Sequence, residues 1–355
     1  MKVLLIRLRL IGDVVFTTPA VRALRRALPA AHFTYLVEPL ASPIVQDNPH
    51  IDARLVVPRT RGAARIADDI GLARRLRAAR FDAVVDFHGG PRGSWLAWAS
   101  GAPVRAGYAV PGRGWMSTQR VDRPRGQGHG HAVENQWAVA RLLVPTLPEA
   151  PDPARDPVEL VESPDAARRV EAAFAAAGLG ARDRVVIIHA SAGNPFRRWP
   201  AEAFVDLVTR LATAAPNRRI ILQSGPSDAD AARRIGDDAR RRLGRGDDRA
   251  VVDLGELPLL ELHAAIRRSA LFIGGDSGPL HIAATTPTPI VALYGPSVPG
   301  QCRPWRDPAW PTAGVDSGPL ACRPCDQRRC VPGDFRCLTG LAPRAVHEAA
   351  ERLLG

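Results

Sequence analysis

At 355 residues the chain has room for about two domains of ordinary size. Apolar residues make up 46% and charged residues 24%, which supports a sizeable core, and no run approaches the roughly 20 apolar residues of a membrane span. The net charge is +12, and Lys2 is the only lysine among 48 basic residues, an arginine bias of the kind GC-rich coding produces. A basic surface attracts nucleic acid, anionic membrane or phosphorylated substrate. Zinc-finger spacing and RNP-type motifs are missing, and aromatic residues are only 5%, so no nucleic acid partner is expected.

The opening MKVLLIRLRLIGDVVF has the outline of a signal peptide, but Arg7, Arg9 and Asp13 break its apolar run and no clear cleavage site comes after it. It reads instead as the first strand, Val3–Leu8, of a cytoplasmic protein. The pattern continues as helix Val14–Leu28, strand Phe33–Val37, helix Leu40–Asp47, strand Arg54–Val57, helix Ala64–Ala79 and strand Ala83–Phe87. Such alternation argues for an α/β fold with a parallel sheet covered by helices. Residues 101–130, rich in Gly, Pro and Arg, read as extended loops that close over a substrate, and helix Val133–Leu143 ends the half.

Residues 145–165 hold six prolines and read as a linker. The alternation then restarts with helix Ala166–Ala177, strand Val185–His189, helix Ala201–Ala214, strand Arg219–Gln223 and helix Ala229–Leu243. Strand Ala270–Ile273, turn Gly274–Gly278, helix Pro279–Thr286 and strand Ile290–Tyr294 come next. The expected division is 1–160, 161–340, and a C-terminal helix over 341–355, Pro343–Leu354, packing back on the first half. Two similar α/β halves imply a cleft between them, with ligands beyond the carboxyl ends of the strands.

The stretch ALFIGGDSGPLHIAATTPTPIVALYG, residues 270–295, is the most informative. A glycine turn before a helix start forms an anion site, with Asp276, Ser277, Gly278 and His281 beside it, which suits a diphosphate carrying a sugar. A purely structural turn is the plain alternative, and the trypsin-like GDSG reading fails because that fold is all-β. A G-x-G-x-x-G dinucleotide fingerprint is lacking after the first strand, where Gly12 is the only glycine.

Asp13, directly after Gly12, suits a general base for an acceptor hydroxyl, or equally an ordinary helix cap. Thr17 and Thr18 lie one turn on and are expected to face the same cleft. In HASAGNPFRRW, Ser191 and Gly193 permit close backbone approach while Arg197 and Arg198 neutralise phosphate; the alternative is a solvated basic loop. Asp228-Ala229-Asp230 lies at a helix start, which discounts metal binding there, and leaves Asp228 to reach a ribose hydroxyl. Arg59 and Arg61, with the loop Arg105–Arg125, are candidates for an anionic acceptor. The spacing Cys322-x2-Cys325-x4-Cys330-x6-Cys337 fits either a structural zinc or reduced thiols packing a loop.

Together VLLIRLRLIGDVVFTTPAVRALR, HASAGNPFRRWPAEAF, LFIGGDSGPLHIAA, LYGP and the tail CLTGLAPRAV resemble the lipopolysaccharide heptosyltransferases, the family-nine glycosyltransferases, over almost the whole chain. The opening block looks closest to the heptosyltransferase III-like branch. The resemblance implies GT-B architecture, with two Rossmann-like domains, the acceptor on the first and ADP-heptose on the second. It implies an inverting transfer to the lipopolysaccharide inner core with Asp13 as base and no metal or cofactor. Asp276, Ser277, Gly278 and His281 would hold the donor, and Arg197 stands where such enzymes usually carry lysine. The lipid-linked acceptor would place the enzyme at the cytoplasmic face of the inner membrane. A relative using another nucleotide sugar, or a basic nucleic-acid-binding protein on this scaffold, are the alternatives.

Overall fold

The computed structural model describes residues 1–355 apart from 59, 61, 123–129, 191–193, 245–247 and 324, and gives no side-chain placement at 63, 195 and 248. The chain divides into two compact units, Met1–Val161 with Trp305–Asp307, and Glu162–Pro304 with Pro308–Gly355.

The first unit is built on six strands: β1 (Lys2–Ile6), β2 (His32–Val37), β3 (Ala53–Val56), β4 (Ala83–Asp86), β5 (Val104–Ala109) and β6 (Gln119–Asp122). They lie in the order β3-β2-β1-β4-β5-β6, every pair parallel. Val3, Leu4, Leu5 and Ile6 of β1 are fully buried, as a strand covered on both faces requires. The strand order reverses between β1 and β4, and beyond the carboxyl ends at such a reversal open sheets bind ligands.

The second unit repeats the plan with β7 (Arg184–His189), β8 (Arg218–Gln223), β9 (Val251–Val252), β10 (Leu271–Gly275), β11 (Ile290–Tyr294) and β12 (Thr312–Asp316). Its order, β12-β11-β10-β7-β8-β9, is the same arrangement read from the other edge. The reversal falls between β7 and β10, and His189 pairs with Gly274, so these two strands end side by side. That register brings the loops after both strands to one place.

Several elements differ from expectation. The helix expected over Val14–Leu28 is two helices, Ile11–Val15 and Thr18–Ala27. Pro19 has no N–H to continue the ladder, and the Thr17 and Thr18 hydroxyls donate back to the carbonyls of Val14 (2.7 Å) and Val15 (2.8 Å). Residues Pro39–Val45 wind as a 3₁₀ segment, since Pro43 withholds an amide from an α-helix. The stretch 101–130, expected as loops, contains β5 and β6. Gly107 in β5 is needed for close approach, because a Cβ there would stand 2.7 Å from the Ser117 hydroxyl. Helices Pro91–Ala99 and Leu259–Arg267 are additions to the expected pattern.

The C-terminal helix Pro343–Leu354 does not join the first half. It packs on helix Ala201–Ala214 and on β10, β11 and β12. Val346, Ala349, Ala350 and Leu354 are buried in one cluster with Leu207 and Leu211. The spacing of those four along the helix makes a single apolar face, and that face completes the second core. Residues 305–307 depart from the expected 161–340 run in the other direction. The Trp305 indole donates to the Asp156 carbonyl at 2.9 Å and its ring lies 4.9 Å from that of His131, both in the first unit.

Candidate active site

In the first unit the site is built around the carboxyl end of β1 and the short helix after it. Leu10 takes a left-handed backbone (φ 63°) that a side-chain-bearing residue adopts at a cost, and starts helix Ile11–Val15. Asp13 is in the first turn of that helix and is not its cap; the cap position is Leu10, which makes no side-chain bond. The Asp13 carboxylate instead forms an ion pair with Arg7. Arg7 is 5% exposed as a residue, whereas the Asp13 side chain keeps 30% of its surface open. A second Arg7 nitrogen donates to the Phe87 carbonyl after β4 at 2.7 Å, so the guanidinium ties the ends of β1 and β4 together beneath Asp13.

In the sequence Arg7 stands out only as an interruption of an apolar run. A signal is nonetheless present: a charge at the end of a fully buried strand needs a partner, and Asp13 is the nearest acid in sequence. Asp86, at the end of β4, is a further site residue that no motif marks. It is 1% exposed and accepts from the amides of His88 (3.0 Å) and Gly89 (3.1 Å) and the Ser94 hydroxyl (3.1 Å). Burial raises its pKa against the pull of those donors and of Arg7.

Thr17 and Thr18 do not face an acceptor. They are 0% and 1% exposed. The Thr17 hydroxyl also shares a hydrogen bond with the Tyr35 hydroxyl at 2.7 Å, and Thr18 accepts the Glu159 amide at 3.0 Å. Both hydroxyls are spent inside the fold. Gly12 is buried, and its carbonyl accepts the Phe16 amide at 3.0 Å. Arg59 and Arg61 lie outside the described residues. Of the other candidate arginines, Arg105 braces its own loop through the carbonyls of Met116 (2.7 Å) and Ala102 (2.6 Å).

In the second unit the site forms where β7 and β10 end. Arg197 Nη1 is 2.8 Å from Asp276 Oδ2 and donates to the Asp276 carbonyl at 2.9 Å, while His281 Nε2 is 3.3 Å from Asp276 Oδ1. Asp276 and His281 are 6% and 4% exposed. Burial alone would raise the Asp276 pKa. The hydrogen bond and charge of His281, with Arg197 and the Ser297 hydroxyl, outweigh it and hold the carboxyl at about 2. Ser277 sits just ahead of helix Gly278–Ala283 in extended backbone, its hydroxyl donating to the Gly275 carbonyl at 3.2 Å.

Arg198 forms a 2.8 Å ion pair with Asp228, which is 7% exposed and makes no capping bond to its helix. The two adjacent arginines thus point to different acids, Asp276 and Asp228. Ser191 and Gly193 lie outside the described residues. All five cysteines are free thiols. Cys322, Cys325, Cys330 and Cys337 line one cavity with Phe196 and Phe335. Burial, and then the other three sulfurs, raise the Cys337 pKa. Among the described residues no three His, Cys, Asp or Glu side chains are gathered to hold a metal ion.

Residues 70–333 match the model of glycosyltransferase family 9 (heptosyltransferase). Lipopolysaccharide heptosyltransferase 3 of Escherichia coli K12 is 28% identical over 312 residues, 83% of each chain. Among solved structures, a family 9 glycosyl transferase from Veillonella parvula superposes with a TM-score of 0.84 at 24% identity, covering 99% of this chain and 97% of that one. The E. coli ADP-heptose lipopolysaccharide heptosyltransferase II superposes with 0.76 at 20% identity, over 100% and 98%. Two Rossmann-like units of six parallel strands make the GT-B architecture of those enzymes, and the chain belongs to glycosyltransferase family 9, the heptosyltransferases.

Proposed function

We propose that the protein transfers heptose from ADP-heptose to a sugar hydroxyl of the lipopolysaccharide inner core, with inversion and without a metal. The observation that carries this reading is the buried Asp276 carboxylate held between Arg197 and His281 at the ends of β7 and β10. The names of the relatives, one a lipopolysaccharide heptosyltransferase and one an ADP-heptose enzyme, support the donor and acceptor classes.

Asp13 takes the proton from the acceptor hydroxyl as its oxygen bonds to the anomeric carbon of the donor. The bond from that carbon to the diphosphate breaks on the opposite face, and the electron pair leaves with ADP. Arg7 fixes the base by pairing with one carboxylate oxygen, while the Asp13 side chain as a whole stays partly open. On the donor side, Arg197 and the amides opening helix Gly278–Ala283 face the charge that develops on the leaving diphosphate. Asp228, paired to Arg198, is the candidate ribose contact. No helix among the described residues is long and apolar enough to cross a membrane. The basic surface suits a peripheral position on the cytoplasmic face of the inner membrane, where a lipid-linked acceptor would lie.

Calorimetric titration with ADP in EDTA, against UDP and NAD, tests the donor side. Selective ADP binding is the expected result. A preference for UDP would keep the fold and change the donor, and binding of none of them would remove the diphosphate site. With ADP-heptose and a core acceptor, turnover should persist in EDTA.

A further inference from the structure

The cysteine-rich segment 322–337 has no part in the proposed reaction, yet its Gln327 side chain reaches the donor site. Gln327, between Cys325 and Cys330, turns its amide oxygen toward the Asn194–Arg197 turn. That oxygen accepts from Arg197 Nε at 2.7 Å and from Asn194 Nδ2 at 2.9 Å. The Arg197 guanidinium is then gripped on two sides, at Nε by Gln327 and at Nη1 by Asp276. Two hydrogen bonds along different N–H directions of one planar group fix its plane, which a single ion pair does not.

The backbone is consistent with a residue held for its side chain. Gln327 sits at φ 57°, in the left-handed region, where glycine would be the unstrained choice. Phe335, at φ 50°, places its ring 5.5 Å from that of Phe196 in the same turn. The segment is thus docked at two points on the turn that carries Arg197. A lysine at 197 would lack the Nε–H that Gln327 receives, so Gln327 is matched to an arginine.

We propose that Gln327 is a positioning residue for the donor site, setting the plane in which Arg197 meets the diphosphate. This rests on the ADP reading above. The test is a double-mutant cycle on the full chain, Gln327→Gly, Arg197→Ala and both, titrated with ADP and followed by thermal unfolding. Gln327→Gly should weaken ADP binding about five- to tenfold. Its unfolding midpoint should stay level or rise, because glycine accepts the positive φ without strain. In the Arg197→Ala background the same change should have no further effect on affinity, the sign that Gln327 acts through Arg197. Unchanged affinity in Gln327→Gly, or an equal loss with and without Arg197, would overturn the proposal while leaving the ADP site standing. If the unmodified chain binds no ADP, the donor reading fails and this inference fails with it.

Discussion

Asp13 and Arg7 show how a single contact changes the meaning of a residue. An aspartate at a helix start is as readily a cap as a base. The structure removes the cap, because Leu10 occupies that position and the Asp13 carboxylate turns to Arg7. What is left is a part-exposed carboxylate oriented by a buried cation, the geometry a positioned base needs. Asp13→Asn keeps the shape and an oxygen for Arg7 but cannot take a proton. Turnover should fall about 10²–10⁴-fold, with ADP affinity unchanged because the donor contacts are in the second unit. Initial rates beside an ADP titration check this, and turnover near the unmodified level would remove Asp13 from the chemistry. The positions of Asp13, Asp276 and His281, beside glycine turns that follow apolar strands, are legible from motif alone; the roles proposed for them are not. Thr17 and Thr18 mislead because a hydroxyl one turn past a base looks available until its own helix claims it. Gln327 leaves no trace in the sequence, since its partner is 130 residues away.

At the scale of elements, periodicity finds β1 to β4, β7, β8, β10, β11 and most helices, misses β5, β6, β9 and β12, and does not say which unit each element completes. The helix Pro343–Leu354 has an obvious apolar face, and nothing local says what covers it. Its partners, helix Ala201–Ala214 and β10 to β12, are chosen by volume and topology, so chain order alone points it to the wrong half. Val346, fully buried in that cluster, offers a direct test. Val346→Ala removes two methyl groups from a packed site and should cost about 2 kcal/mol. Denaturant unfolding should show that loss in the transition of the second unit. A loss confined to the first unit would mean that the helix serves the other core.

The whole molecule repeats one plan twice, and that much is written in the alternation of strands and helices on either side of the proline-rich segment. Its response to acid is not, because it depends on burial. His263, in helix Leu259–Arg267, is 0% exposed, and neither ring nitrogen has a hydrogen-bond partner among the described residues. Burial lowers its pKa to about 4, helped by Arg267 and Arg268 and opposed by Glu162. In the unfolded chain the same imidazole titrates near 6.5. Between those values the unfolded state binds a proton that the folded state refuses, so stability falls as pH falls through this window. Asp276 works in the same direction lower down, its stabilising contribution lost as pH falls from 3.8 toward about 2. The second unit should therefore lose about 2 kcal/mol between pH 8 and pH 5 from His263 alone, before any carboxylate responds. His263→Leu keeps an apolar side chain there and cannot be protonated, so it should flatten that part of the profile while leaving the lower, carboxylate part in place. Denaturant melts across pH 4–8 read the difference, and parallel profiles for the two proteins would show that His263 is not the group that acid attacks first.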